Sequence, residues 1–229
     1  MSRVADDADA LDQDTTEPDA PYVSMREKRF EVVATFLLAF AALATAWTGY
    51  QASLWDGIQS SNYTQASAAR TEAAQLRTEA NQFRLADLSV FESFVDASVS
   101  GNDELAGFYR ARFRPEFEVA FDAWIALDPF ADPEAPSSPL AMAEYQLAAD
   151  AEATTLDARA DTLFREGEEA NTDSDIYTMS TLLFAIVLFF AAISERFDYQ
   201  RVRVFLLSVA AVGLVAGVVV AIGQPITAG

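Results

Sequence analysis

"SERFDYQRVR", residues 194–203, lies between two uncharged apolar runs and packs Arg196, Arg201 and Arg203 into one short segment. The rest of the 229-residue chain is acidic, with 15 Lys+Arg against 35 Asp+Glu and a formal charge of −20. Cations gathered in one place on such a chain need a reason, and the flanking runs supply it. Ile176–Ser194 is uncharged, as is Val204–Gly223, and a third uncharged run extends from Val32 to Trp55. Each reaches the ~20 residues that cross ~30 Å of hydrocarbon at 1.5 Å rise per residue. Three transmembrane helices are expected.

Arg26, Lys28 and Arg29 stand directly before the first run, so two short basic segments flank the spans. Short flanks rich in Lys and Arg stay in the cytoplasm, whereas long translocated segments escape the rule. Both clusters therefore predict one topology in the cell membrane. The N-terminus lies inside, residues 51–175 lie outside, the 196–203 loop returns inside, and the C-terminus ends outside. Trp47, Tyr50 and Trp55 then fall in the outer aromatic belt. A cleaved signal peptide is the competing reading, helped by Ala44-Thr45-Ala46. Signal-peptide apolar cores are shorter and begin closer to the terminus, so an uncleaved span is preferred.

The expected domains follow. Residues 1–29 form an acidic tail with a basic juxtamembrane end, disordered over 1–24, where seven acids face Arg3 alone. Spans occupy 30–50, 176–195 and 204–223. A helical extracytoplasmic domain covers 51–175, and 224–229 is a short external tail. The fold class is an all-α integral membrane protein whose external part is an antiparallel, coiled-coil-like helical hairpin.

The hairpin is read from spacing. Ala66, Ala69, Ala73, Leu76, Ala80 and Phe83 advance by alternating threes and fours, a heptad-like seam. The phase is expected to break at Asp87, with Leu85, Leu88, Phe91 and Val95 taking over. The helix should end near Ser100-Gly101-Asn102-Asp103. A second helix is expected over 103–127, kinked at Pro115, with Phe117, Phe121, Trp124 and Ile125 as its apolar face. "DPFADPEAPSSP" (128–139) contains four prolines and must be loop. Met142, Ala149, Leu156 and Leu163 recur every seven residues, with Ala153 and Ala160 between them, marking the returning helix. A break is expected near Gly167 or Asn171.

Small residues line faces of two spans: Gly213, Gly217 and Ala221 in the third, Ala41, Thr45 and Gly49 in the first. Such faces allow close backbone approach in lipid. They are consistent with pairing inside the subunit or between subunits.

The layout resembles a family of small prokaryotic membrane proteins known as a domain of unknown function. The shared features are a span running into "WTGYQAS" (Trp47, Tyr50, Gln51), an Ala/Glu/Arg-rich external helical region, and a closing pair of spans. The resemblance implies the three-span architecture and no activity.

Composition restricts the chemistry. With no cysteine and no histidine, thiol nucleophiles, most hydrolase triads and nearly all zinc sites are excluded. No catalytic, metal or cofactor residues are assigned. Glu166, Glu168, Glu169, Asp173 and Asp175 could form a cation vestibule, although a solvated hinge is the plainer reading. The EF-hand pattern begun at Asn171 fails at Ile176 and Leu182. Arg110, Arg112 and Arg114, interleaved with aromatics, could hold an anion or lipid phosphate; pairing with Glu104, Glu116 and Glu118 is the plainer reading. Asn62-Tyr63-Thr64 matches a glycosylation acceptor, but falls within a predicted helix. No span carries an internal charge, which argues against a proton-coupled carrier. The acidic surface makes nucleic-acid binding untenable.

The expected function is a non-catalytic membrane scaffold or accessory subunit. Its partners are the lipid bilayer, further copies of itself and a protein at the external helices. A homo-oligomeric channel with an acidic vestibule is the alternative, and a membrane-anchored sensor or ligand-binding protein the third.

Overall fold

A computed structural model describes residues 25–197 and 199–228, with side chains from Lys28 onward. The acidic leader, with its expected disorder, lies outside the described residues. Among the described residues the chain forms five α-helices and no strand: α1 (Met25–Val99), α2 (Asp103–Arg110), α3 (Pro115–Ile125), α4 (Ala148–Ser194) and α5 (Gln200–Ile222). A 3-10 turn spans Pro139–Ala141. Three of the helices, α1, α4 and α5, contain stretches long and apolar enough to cross a membrane.

The described chain divides into two compact units. One comprises 25–48 with Met179–Gly223, the other Gly49–Thr178 with 224–228. In the first unit most packed positions carry small or branched residues. Ala41, Val187, Ala191 and Ala210 form its centre, with Leu37, Leu38, Leu188, Phe190 and Leu214 around them. Along α4 the buried positions Ser180, Phe184, Val187, Ala191 and Ser194 advance by alternating fours and threes, the stepping of a straight helix-to-helix seam. Hydroxyls inside this unit find partners locally. Thr45 donates to the Ala41 carbonyl at 2.7 Å, Ser194 to that of Ala191 at 2.7 Å, and Thr48 lies 2.8 Å from the Thr181 hydroxyl. Unpaired polar groups in an apolar surrounding would cost several kcal/mol, which is why each hydroxyl folds back on a carbonyl or a neighbour.

In the second unit, Ala66, Ala69, Ala73 and Ala80 of α1 and Ala153, Ala160 and Ala170 of α4 are buried, with Leu76, Phe83, Leu156 and Leu163 partly so. The α1 seam is packed at these positions, and so is the returning seam from Ala149 onward, while Met142 lies before α4. Arg70, Arg77 and Arg84 of α1 pair with Asp161, Asp157 and Asp150 of α4. As one number rises the other falls, which fixes α1 and α4 as antiparallel in this unit. These pairs lie on the solvent side and contribute at most ~1 kcal/mol each. They set register more than stability.

Four local expectations change. The seam does not break at Asp87; it passes through it, since Asp87 is buried while Leu85 and Leu88 are exposed. The expected 103–127 helix is two helices, because Pro115 occupies the first turn of α3 rather than a kink within a longer helix. The returning helix begins at Ala148 instead of Met142, and it continues unbroken past Gly167 and Asn171. The end of α1 falls where expected. Gly101 adopts a left-handed φ of 70°, the Asn102 amide reaches back to the Ala97 carbonyl at 2.9 Å, and the Asn102 side chain caps α2 at Leu105.

The far end of α1 packs into an aromatic core. Phe91 and Phe94 meet Phe117, Phe121 and Trp124 of α3, with Phe113 and Tyr145 at the edge. The rings pack edge to face: Phe94 on Phe121 at 5.0 Å, Phe113 on Phe117 at 4.9 Å, Phe91 on Trp124 at 5.2 Å. Burying each such side chain is worth about 1.5–3 kcal/mol, and the edge-to-face geometry adds to that. This core closes the end of the alanine-lined pair, where seams of small residues bury little area.

Candidate functional site

Asp87 is the most deeply placed carboxylate of the second unit, 3% exposed. The seam's own stepping carries it there. Arg114, at the N-cap of α3, reaches it through Nη1 at 3.2 Å, and its Nη2 reaches Glu116 at 3.2 Å. The guanidinium also lies over the Phe83 ring, 3.8 Å from its centroid. Tyr145, in the turn before α4, donates its hydroxyl to Asp87 at 2.8 Å. Burial pushes the Asp87 carboxyl above the ordinary aspartate range; the Tyr145 hydrogen bond and the Arg114 charge oppose that shift, and Glu116 adds to it. Burial, then the hydrogen bond to Asp87, raises the Tyr145 hydroxyl, which keeps it a donor. One carboxylate thus ties α1, the start of α3 and the approach to α4. Its Oδ2 accepts from both Arg114 and Tyr145, an arrangement suited to fixing three segments.

The predicted arginine patch does not converge. Arg110 bonds Asp122 at 2.8 Å and lies over Phe121. Arg112 donates to the Phe108 carbonyl at 2.8 Å and stacks on the Phe108 ring. Arg114 turns inward to Asp87. Of the expected carboxylate partners only Glu116 is used; Asp87 and Asp122 are the partners that sequence spacing missed.

The five acids of the expected vestibule sit on α4, where helical spacing divides them. Glu166, Glu169 and Asp173 share one face by i, i+3 and i+7 steps, while Glu168 and Asp175 fall on the opposite side. Asp173 is pushed up by burial and then by the charge of Glu169. Asp175 accepts from Asn171 at 3.4 Å. Among the described residues no group of three or more carboxylates is placed to hold a metal ion.

Of the topology anchors, Lys28, Arg29, Arg196 and Arg201 are exposed, and the side chain of Arg26 lies outside the described residues. Arg203 lies over the Phe30 ring, 5.6 Å from its centroid. The small-residue faces are partly used within the chain. A Cβ on Gly217 would come within 2.7 Å of the Phe184 ring, and one on Gly213 within 3.1 Å of Val187. Ala41 is fully buried, Thr45 and Ala221 are half-buried, and Gly49 has open space beside it.

A further arrangement involves the C-terminal tail. Gln51, 1% exposed, donates to the Thr227 carbonyl and accepts from the Thr227 amide, both at 3.2 Å. Trp55 Nε1 and the Tyr177 hydroxyl both donate to the Pro225 carbonyl at 3.2 Å. Below these, Ser174 donates to the Ala52 carbonyl at 3.0 Å and Gln59 to Asn171 at 2.7 Å. A buried glutamine inside "WTGYQAS" was the available sign, but nothing local names a partner 176 positions away. No protein-family model, curated protein or solved structure matches the chain, so these sites rest on their own geometry.

Proposed function

We propose that the chain is an integral membrane protein of three spans, with its N-terminus in the cytoplasm and residues 51–175 outside. In this reading it serves as a non-catalytic oligomeric scaffold or accessory subunit. The observation that carries the reading is where large apolar side chains point in the unit of 25–48 with Met179–Gly223. Phe36, Leu43, Phe189, Val212 and Val215 are each at least 60% exposed there. Soluble proteins rarely leave such contiguous apolar surface to water, and lipid is the solvent that accepts it.

The scaffold role is supported by how the second unit spends its residues. Its buried positions go to an alanine-lined helix pair and an aromatic core, and its most buried carboxylate goes to fixing segments. That is the economy of a rigid spacer that presents surface to other chains, one of them a second copy.

Two measurements test this. The natural chain has no cysteine, so Ala151→Cys and Tyr199→Cys provide clean single labels. Impermeant maleimide should label position 151 in intact cells and position 199 only after lysis; the reverse pattern would overturn the topology. Native mass measurement in mild detergent should give one defined oligomer without conductance in proteoliposomes. A monomer would defeat the scaffold reading, and cation flux weakened by Glu168→Gln and Asp175→Asn would replace it with a channel.

A further inference from the structure

A second seam runs along α1, on the side away from its buried alanines. From Ser61 it steps by alternating threes and fours through Thr64, Ala68, Thr71 and Gln75, and the same stepping continues to Thr78, Gln82 and Leu85. Every one of these positions is exposed and none is charged, on a chain with 35 Asp+Glu. The alanines at 66, 69, 73 and 80 are buried, so α1 spends one side on the chain itself and leaves the other open. The threonines of the open seam use their hydroxyls within the helix. Thr64 donates to the Ser60 carbonyl at 2.8 Å, Thr71 to that of Ser67 at 2.9 Å and Thr78 to that of Ala74 at 2.9 Å. What each has left for a neighbour is a methyl group. A shallow groove of about 810 Å3 follows this face from Ser60 to Gln75, with Tyr63 and Glu72 among its lining.

We propose that this face docks a second copy of the chain, the two α1 helices lying parallel and in register about a two-fold axis. The contact presupposes the oligomer proposed above and gives it a surface. Three–four stepping is what keeps one helix against another along its length, here about 36 Å over residues 61–85. Charge selects both the occupant and its direction. Glu72 and Glu79 flank the seam on one side and form no ion pair among the described residues. Arg70 and Arg77 lie towards the other side, half-exposed beside Asp161 and Asp157. In a parallel pair the glutamate flank of each copy lies along the arginine flank of the other. Glu72 then faces Ser67 and Arg70 of the second copy, and Glu79 faces Ala74 and Arg77 one heptad on. An antiparallel pair would set glutamate flank against glutamate flank. Gln75 and Gln82 each meet their own counterpart across the axis, where a polar group fixes register at a cost in stability. Two copies that are both strongly acidic repel elsewhere, which favours approach along this uncharged strip.

The test is disulfide trapping of the full chain in isolated membranes, where the absence of natural cysteine gives clean single labels. Thr64→Cys, Thr71→Cys and Thr78→Cys should each give linked dimers under mild oxidation, because a parallel, in-register pair sets every seam position against itself. Thr155→Cys and Thr162→Cys, exposed on α4, should stay unlinked. Native mass measurement in mild detergent should give a dimer. Ala68→Glu opposes like charges across the axis and should weaken that dimer by about 10-fold or more. Thr155→Glu, the same charge change on α4, should leave it intact, and circular dichroism should show equal helix content in both variants. A dimer that ignores Ala68→Glu, or that links through 155 or 162 and not through the seam, would keep the oligomer and overturn this surface. Linking at only one of the three seam positions would overturn the parallel register, since an antiparallel pair brings at most one position against itself. A natural chain that is monomeric would defeat the oligomer and this surface together.

Discussion

Gln51 and Thr227 exchange two hydrogen bonds, each 3.2 Å long, although 176 residues separate them. The primary amide presents its donor and acceptor to the tail backbone much as a neighbouring strand would. It anchors a segment that its own sequence, Gln224-Pro225-Ile226-Thr227, gives no means of ordering.

Replacing Gln51 by alanine removes both bonds and leaves a small void at a buried position. Gln51→Glu keeps the acceptor for the Thr227 amide and loses the donor to its carbonyl. The expected cost is about 1–3 kcal/mol for the alanine and at least as much for the glutamate, which buries a carboxylate against the Thr227 carbonyl. In both variants amide hydrogen exchange at Thr227 should rise, with little change at Ala153. Unchanged protection at Thr227 would mean the tail is held by Trp55 and Tyr177 alone.

Asp87 and Arg114 lead to a prediction with a definite sign. The folded chain holds the Asp87 proton more tightly than the unfolded chain does, because burial disfavours the carboxylate. The stability from this group is therefore full below the ordinary aspartate value of 3.8 and is lost as pH rises through the raised folded value. Asp87→Asn removes that dependence. The difference in melting temperature, variant minus natural chain, should grow more positive as pH climbs through this window. A flat difference would show that Asp87 ionises in the folded chain as easily as in the unfolded one.

Removing the partner instead exposes the opposite imbalance. Arg114→Ala leaves a buried carboxylate with only the Tyr145 hydroxyl and should cost about 3 kcal/mol at neutral pH. Much of that loss should disappear in Asp87→Asn/Arg114→Ala, where no charge is left unpaired. Equal losses in the single and double variants would assign the cost to lost packing of the guanidinium on Phe83, not to charge.

The helices and both seams were legible in the sequence because they repeat: alanine at 66, 73 and 80, or at 153 and 160, reports its face through spacing alone. Asp87 misled that reading because a charge at a seam position looks like a change of phase. Only its long-range partners, Arg114 and Tyr145, reveal that the seam admits it. Gly167 misled it for a related reason, since a glycine inside a helical pattern reads as a weak point until the ring beside it is known. The aromatic core was divided among three segments, with Phe91, Trp124 and Phe130 each reading separately as core or loop. No local period joins them.

The glycines turn this point into a graded test. At Gly167 an added Cβ would lie 2.6 Å from the Tyr63 ring, which is itself stacked on Phe164 at 5.2 Å. At Gly57 nothing lies within 4 Å. Alanine is favoured over glycine in a helix interior by about 1 kcal/mol, so Gly57→Ala should stabilise the chain by up to that amount. Gly167→Ala gains the same propensity but must displace an aromatic ring, and overpacking of this kind costs about 1–3 kcal/mol. It should therefore be neutral to destabilising, lying about 1–3 kcal/mol below Gly57→Ala in thermal unfolding followed by circular dichroism. Shrinking the obstacle should restore the balance. In a Tyr63→Leu background Gly167→Ala should become stabilising, because a leucine can turn aside where a stacked ring cannot. If the alanine is equally costly with and without the tyrosine ring, the glycine serves local backbone geometry instead, and the close approach of the ring is incidental to it.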